Sequence, residues 1–475
     1  MTSISKRDLE KVLEEVFGRV LEEKLAEVWQ NGGAGREALR EELRPLAEFR
    51  APYEQRDWTR FKKTGNAMQI VLPSGVRRMI PYKGKLVIKT GGTGGLYTYP
   101  PLKELYVPKE PGYYREGWDG MYVPGDGLDV LAFVEYNAIE VVKPDLSVDI
   151  IKIPGAGDGA GCAIEDPRNA YIYSSHWNGR IYRVNLETKT YELITTAPPG
   201  TLSRGLVYSG GRLYAGAESG EVGIWEYDIS TGVWSKKVAD IHIFGCDWVA
   251  KAFWAWGHID YKKRVIIRST DMTTFEVNIV PQVLTCGGWM GRPLQMRAYA
   301  GALFPFYGVI YALREGVDDG FVPTIYPICS YVRDIVDLAI YNGMLALGYD
   351  ELFWTLRRDL APGSVELVSF SELLRAGLLP GQAIIWDSES IDAGDTSLPV
   401  VVGGWSRKTL MFLSNVAGTL TIETDIVGDG DWQTYDTISI SADTPRWYMF
   451  TGDFARLRLS FDAAATVTAK MMLQP

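Results

Sequence analysis

His176, Trp177 and Asn178 stand together in the turn HWNG, between the short segments AYIYSS and RIYRVN. An exposed indole stacks on the apolar face of a sugar ring, while imidazole and amide groups bond its hydroxyls, so this tip reads as a saccharide contact. Arg204, Asp247, Trp248 and Trp289, with the turn 91–95, Glu218 and Met290, fall at matching phases of neighbouring segments and are expected on the same face. The competing reading is that these aromatics plug a channel or pack between segments. Trp248, Phe253, Trp254 and Trp256 crowd one stretch, and so dense a run suits filling the space between elements.

Catalytic signatures are absent from the sequence. It contains no GxSxG elbow, no HExxH and no Walker motif. Gly91-Gly92-Thr93-Gly94-Gly95 lacks the following helix and lysine of a phosphate loop; LYTYP after it is a strand, so the glycines read as a hairpin turn. Glu165-Asp166 and Asp318-Asp319 read as turn residues. Carboxylate partners for glycoside hydrolysis come from distant positions and stay open as an alternative. Asp425, Asp429 and Asp431 surround the turn GDGDW, but their spacing is not that of an EF-hand and an Asp-Gly turn needs no ion. Cys162, Cys246, Cys286 and Cys329 form no CxxC pair, and with three histidines in the chain a zinc site is not expected. No catalytic residue, metal or cofactor is therefore assigned, and the balance falls against an enzyme.

The elements that must position these residues repeat. From Ala170 to Asp240 two consecutive units follow one plan, short strands rich in Tyr, Ile and Val broken by Gly, Asn, Ser or Asp. Units of roughly 40 residues on this plan are propeller blades. The plan extends over 68–374 and counts to seven, with six or eight as alternatives. Within the fifth unit, Ser269-Thr270-Asp271-Met272-Thr273-Thr274-Phe275 resembles the Asp-box turn of sialidase-like propellers, with Met272 in place of the usual glycine. That resemblance implies a blade, and the arginine cluster of the enzymes is not found with it. After a linker at 375–382, residues 383–475 hold strands such as TLMFLSN, TLTIETDIV and YDTISIS, which suit a β-sandwich or jelly roll.

At the other end, Leu9, Leu13, Val16 and Val20 recur at spacings of four and three, and Leu25 and Val28 continue the stripe. This predicts an amphipathic helix in a segment 1–50, followed by a linker at 51–67. The helix either packs on the next domain or serves assembly, joining copies of the chain or other proteins. The expected fold class is thus mainly β, with an N-terminal helix, a seven-bladed propeller and a C-terminal sandwich. A net charge of −10 argues against a nucleic-acid partner. No apolar stretch has the length of a membrane span, and the N-terminus lacks the apolar core of a signal peptide.

The segments SRKTLMFLSNVAGTLTIE and GDGDWQTYDTISIS resemble the small terminal sandwiches of viral fibre and spike proteins, particularly those of viruses of thermophilic hosts. The resemblance implies a structural virion protein, a tail-fibre or spike component at the virion surface. Its partners would be other virion proteins or its own copies through the helix, and a host-surface glycan or protein. Two alternatives remain: a polysaccharide-acting propeller enzyme with a carbohydrate-binding sandwich, and a cytoplasmic propeller scaffold for protein partners.

Overall fold

The computed structural model describes residues 68–475, apart from 92–94, 109–113, 125–127, 167–169, 199–200, 284–292, 297–300, 315–323, 331–334, 350–362 and 376. Strands dominate it because apolar and polar residues alternate and positive-φ turn residues interrupt them at short intervals. The first strand, β1 (Met68–Leu72), pairs with none of its immediate successors. The first four-stranded sheet is β2 (Val76–Tyr82), β3 (Lys85–Thr90), β4 (Leu96–Tyr99) and β5 (Lys103–Glu104). The second is β6 (Tyr114–Val123), β7 (Val130–Tyr136), β8 (Ala138–Val142) and β9 (Val148–Lys152). The third is β10 (Gly159–Asp166), β11 (Tyr171–His176), β12 (Arg180–Asn185) and β13 (Thr190–Thr196). The fourth is β14 (Thr201–Ser209), β15 (Arg212–Ser219), β16 (Gly223–Asp228) and β17 (Val233–Ala239). The fifth is β18 (His242–Val249), β19 (Ala252–Ile259), β20 (Lys263–Ser269) and β21 (Glu276–Ile279), followed by the short β22 (Gln282–Val283). The sixth is β23 (Leu294–Met296), β24 (Gly301–Phe306), β25 (Val309–Arg314) and β26 (Ile325–Ser330). The seventh is β27 (Ile335–Tyr341), β28 (Met344–Tyr349) and β29 (Gly363–Val368), with β1 antiparallel on its outer edge.

The first strands of these sheets stand side by side around an axis: β2 beside β6, β6 beside β10, β10 beside β14, β14 beside β18, and β27 back beside β2. This is a propeller, closed by a strand from the other end of the chain. Close approach at the axis uses glycine. A Cβ on Gly161 would strike the backbone of Gly205, and one on Gly205, at φ +89°, would strike the Cys246 carbonyl. There β14 and β18 pair in parallel at Arg204 and Gly245.

After the propeller come α1 (Phe370–Arg375), then β30 (Gly381–Ile391), β31 (Val400–Val401), β32 (Arg407–Ser414), β33 (Gly418–Asp425), β34 (Gln433–Ile440), β35 (Arg446–Phe450), β36 (Arg456–Phe461) and β37 (Ala465–Gln474). One sheet runs β22-β30-β37-β32-β35 and the other β31-β36-β33-β34. Phe412, Phe461, Trp386, Leu420 and Met471 pack between them in one core with Phe253, Ile267 and Ile279 of the fifth blade. The second sheet is an extension of that blade, since Ile279 pairs in parallel with Val400.

The expected fold class needs correction. Among the described residues the first element is a strand, β1, and the helix is the six-residue α1. A strand takes the first place because the outer edge of β29 would otherwise present unpaired N–H and C=O groups. The helix expected within 1–50, with Leu9, Leu13, Val16, Val20, Leu25 and Val28, lies outside the described residues.

Candidate functional site

In each blade the turn between second and third strands, and the connection to the next blade, open on one face, called upper here; first-to-second and third-to-fourth turns open on the lower face. His176 ends β11 on the upper side, with Trp177 and Asn178 in the turn. The imidazole is fully buried: Nδ1–H donates to the Gly157 carbonyl at 3.1 Å and Nε2 faces Ser174 Oγ at 3.4 Å. Burial pushes its pKa down to about 4, so the ring is neutral and is held as a structural part of the turn. Trp177 is half-buried, with its backbone N–H on the Asp158 carbonyl, and Asn178 Oδ1 accepts from the Arg180 backbone N–H at 3.2 Å. Trp289 lies outside the described residues.

Arg204 and Asp247 point elsewhere. Both sit on innermost strands, β14 and β18, and meet at the axis rather than on loop tips. Arg204 is 5% exposed and crosses from the fourth blade, donating to the Val336 carbonyl of the seventh at 3.4 Å and to the Arg77 carbonyl of the first. Trp248 follows Asp247 beside the β18–β19 turn, so it lies on the lower face, apart from His176.

Three further charged residues join this axial group. Arg78 donates from Nε to the Gly120 carbonyl at 2.9 Å and from its terminal nitrogen to Asp337 Oδ1 at 2.7 Å. The second Asp337 oxygen accepts from the Met79 N–H. Asp119 accepts from the N–H groups of Gly120, at 2.8 Å, and Cys162, at 3.1 Å. Burial lifts the Asp247 pKa to about 6, against the pull of Arg78 and Arg204; Asp337 adds to the rise. Asp247 nonetheless keeps some accessible surface. Cys162 beside it is buried and its thiol is pushed up to about 12, far from a thiolate nucleophile. The arrangement ties the first, second, third, fourth and seventh blades across the axis with charge-assisted bonds.

Arg78, Asp119 and Asp337 were not singled out from the sequence. Their signal is a charged residue at a shared phase of otherwise apolar first strands, in RRMI, GWDG, SRGL, GCDW and IVDL. A second buried cluster lies between the first two blades, where Lys89 Nζ meets Glu135 Oε1 at 2.5 Å and Glu140 Oε2 at 3.3 Å. All three side chains are sealed from solvent.

In the sandwich, Asp425 accepts from the N–H groups of Gly428, Asp429 and Gly430 and from the Arg456 guanidinium at 2.6 and 3.0 Å. Its oxygens thus close the GDGDW turn on backbone and arginine donors. Asp271 likewise ties its hairpin, accepting from Thr273 and Thr274 N–H at 2.8 Å each, with Met272 at φ +59° where an Asp-box has glycine.

No protein family matches the chain, and no curated protein matches it in sequence. Among solved structures it is similar to virginiamycin B lyase from Staphylococcus aureus, with 12% identity and a TM-score of 0.45, over 64% of this chain and 98% of that one. It is also similar to the extracellular domain of a one-component system from B. thetaiotaomicron, with 13% identity and a TM-score of 0.42, over 78% of this chain and 47% of that one.

Proposed function

We propose that this chain is a structural attachment protein, a spike or tail-fibre component of a virion, which presents its propeller and sandwich surfaces to a host-surface glycan or protein. The observation that carries this reading is the tied axis. Where a propeller enzyme would converge its acid and base on a substrate, Arg204, Arg78 and Asp337 engage one another's blades, and Asp119 is occupied by backbone N–H groups. Glu135, a β7 carboxyl whose pKa is raised to about 7, is sealed between the first two blades and meets no solvent. Interaction is left to the faces and the sandwich, which a rigid β body holds in place.

The test has two arms. A mass-spectrometric inventory of purified particles is expected to find the chain at stoichiometric abundance. The purified protein, mixed with a panel of microbial surface polysaccharides, is expected to bind at least one without releasing new reducing ends. Release of reducing ends by the wild-type chain would instead make it a polysaccharide-acting enzyme and overturn the reading.

A further inference from the structure

On the upper side of the fifth blade, β19 carries Trp256 and His258 on one side of the strand, and β20 places Arg264 directly opposite His258. The corner is rich in donors and poor in acceptors. His258 Nδ1 accepts from the Tyr261 N–H at 3.0 Å, which puts the ring proton on Nε2. Among the described residues that Nε2–H, on a side chain 1% exposed, has no acceptor, and two residues deeper the Trp256 indole N–H has none either. Burial, and then the neighbouring His242 and Arg264, hold the His258 pKa down to about 3, so the ring remains a neutral donor. Arg264 is half-buried; it stacks over the Tyr307 ring at 4.1 Å and donates from Nε to Gln282 Oε1 at 3.2 Å, two partners without charge. Among the described residues no carboxylate pairs with it.

The rim is aromatic. Tyr261 is 70% exposed, with its ring 4.1 Å from His258 and 4.9 Å from His242. His242 donates from Nδ1 to the Glu218 carbonyl at 2.7 Å, which leaves its Nε2 as an acceptor at the edge of the corner. The Glu218 carboxyl, its pKa raised by burial, faces His242 rather than Arg264. A partly open guanidinium and an orphaned buried N–H on one strand pair therefore lack an anion, next to an exposed ring suited to stacking.

We propose that this corner, on the upper face beside the sixth blade, binds the carboxylate of an acidic saccharide. Arg264 and the His258 Nε2–H take the anion, the Tyr261 ring stacks on the sugar, and His242 Nε2 accepts from a hydroxyl. The inference rests on the attachment reading above and narrows its ligand to acidic glycans.

The test is calorimetric titration of the full-length chain with tetragalacturonate, with cellotetraose as the neutral probe and inorganic sulfate as competitor. Tetragalacturonate is expected to bind about tenfold more tightly than cellotetraose, the worth of one charge-assisted pairing. Arg264→Gln should erase that preference and Arg264→Lys should keep part of it. Tyr261→Ala, at an exposed position that leaves the core intact, should weaken both probes. If Arg264→Gln does not fold, the other two variants decide. Competition by sulfate supports the anion pairing. Sulfate binding without tetragalacturonate binding overturns the saccharide class, and wild-type affinity in both Arg264→Gln and Tyr261→Ala overturns the site. A wild-type chain that binds in the polysaccharide panel but ignores tetragalacturonate sinks this site alone; one that binds nothing in the panel sinks the attachment reading with it.

Discussion

Lys89, Glu135 and Glu140 place one positive and two negative groups in a space that excludes water. Such a trio is neutral only when one carboxyl keeps a proton, because an uncompensated charge in a low-dielectric interior is costly. Burial raises the Glu135 pKa from 4.5 to about 7; Lys89 pulls the other way, Glu140 adds to the rise, and the Gly117 N–H donates to it at 2.9 Å. The sign follows from linkage. The folded chain holds a proton that the unfolded carboxyl has released between pH 4.5 and 7, so this group's contribution to stability is full below pH 4.5 and is lost as the pH rises through 7. Denaturant titrations from pH 5 to pH 8 should show stability falling with pH, and Glu135→Gln should flatten that slope. An unchanged slope in the variant would remove Glu135 as its source.

At the scale of elements, the third-to-fourth-strand turns share one device. Asn185 accepts from Glu187 and Thr188 N–H, Asp228 from Ser230 and Thr231 N–H, and Asp271 from Thr273 and Thr274 N–H; Asp145 makes the shorter version with Ser147. A short polar side chain that caps its own turn makes each hairpin a local decision, independent of the other blades. Ring closure is the opposite case. β1 must travel to β29, and its register sets Met68 against Leu367 and Leu72 against Gly363. Ile70 and Leu72 are buried there, which stabilises the seventh blade by about 1.5–3 kcal/mol for each side chain. A chain beginning at Ser74 is therefore expected to unfold at lower denaturant than one beginning at Thr64 and to self-associate through the bared edge of β29. Equal midpoints for the two truncations would show that closure does not depend on β1.

At the scale of the molecule, the propeller and sandwich are continuous. The ladder passes from β21 to β31, and Arg456 locks the join by reaching Asp425 in the sandwich and both Glu276 and Asn278 in the fifth blade. Arg456→Met would leave Asp425 buried without its guanidinium, at a cost of about 3–5 kcal/mol. Calorimetry should then resolve two transitions where the wild-type chain shows one; a single, merely earlier transition would show that the shared core couples the parts without Arg456. The sequence by itself determined what is local: where strands alternate, where HWNG and the Asp271 hairpin turn, and that the chain is β-rich. Those features depend on side chains a few residues apart. Tertiary structure decided where the flagged residues go: His176 inside its turn, Arg204 and Asp247 to the axis, and Trp248 to the lower face; it also set His258 opposite Arg264, a pair the sequence did not single out. Such neighbours arise from pairing between strands, blades and sheets that are distant in the chain, and a period-two alternation in one strand carries no information about the register or identity of its partner.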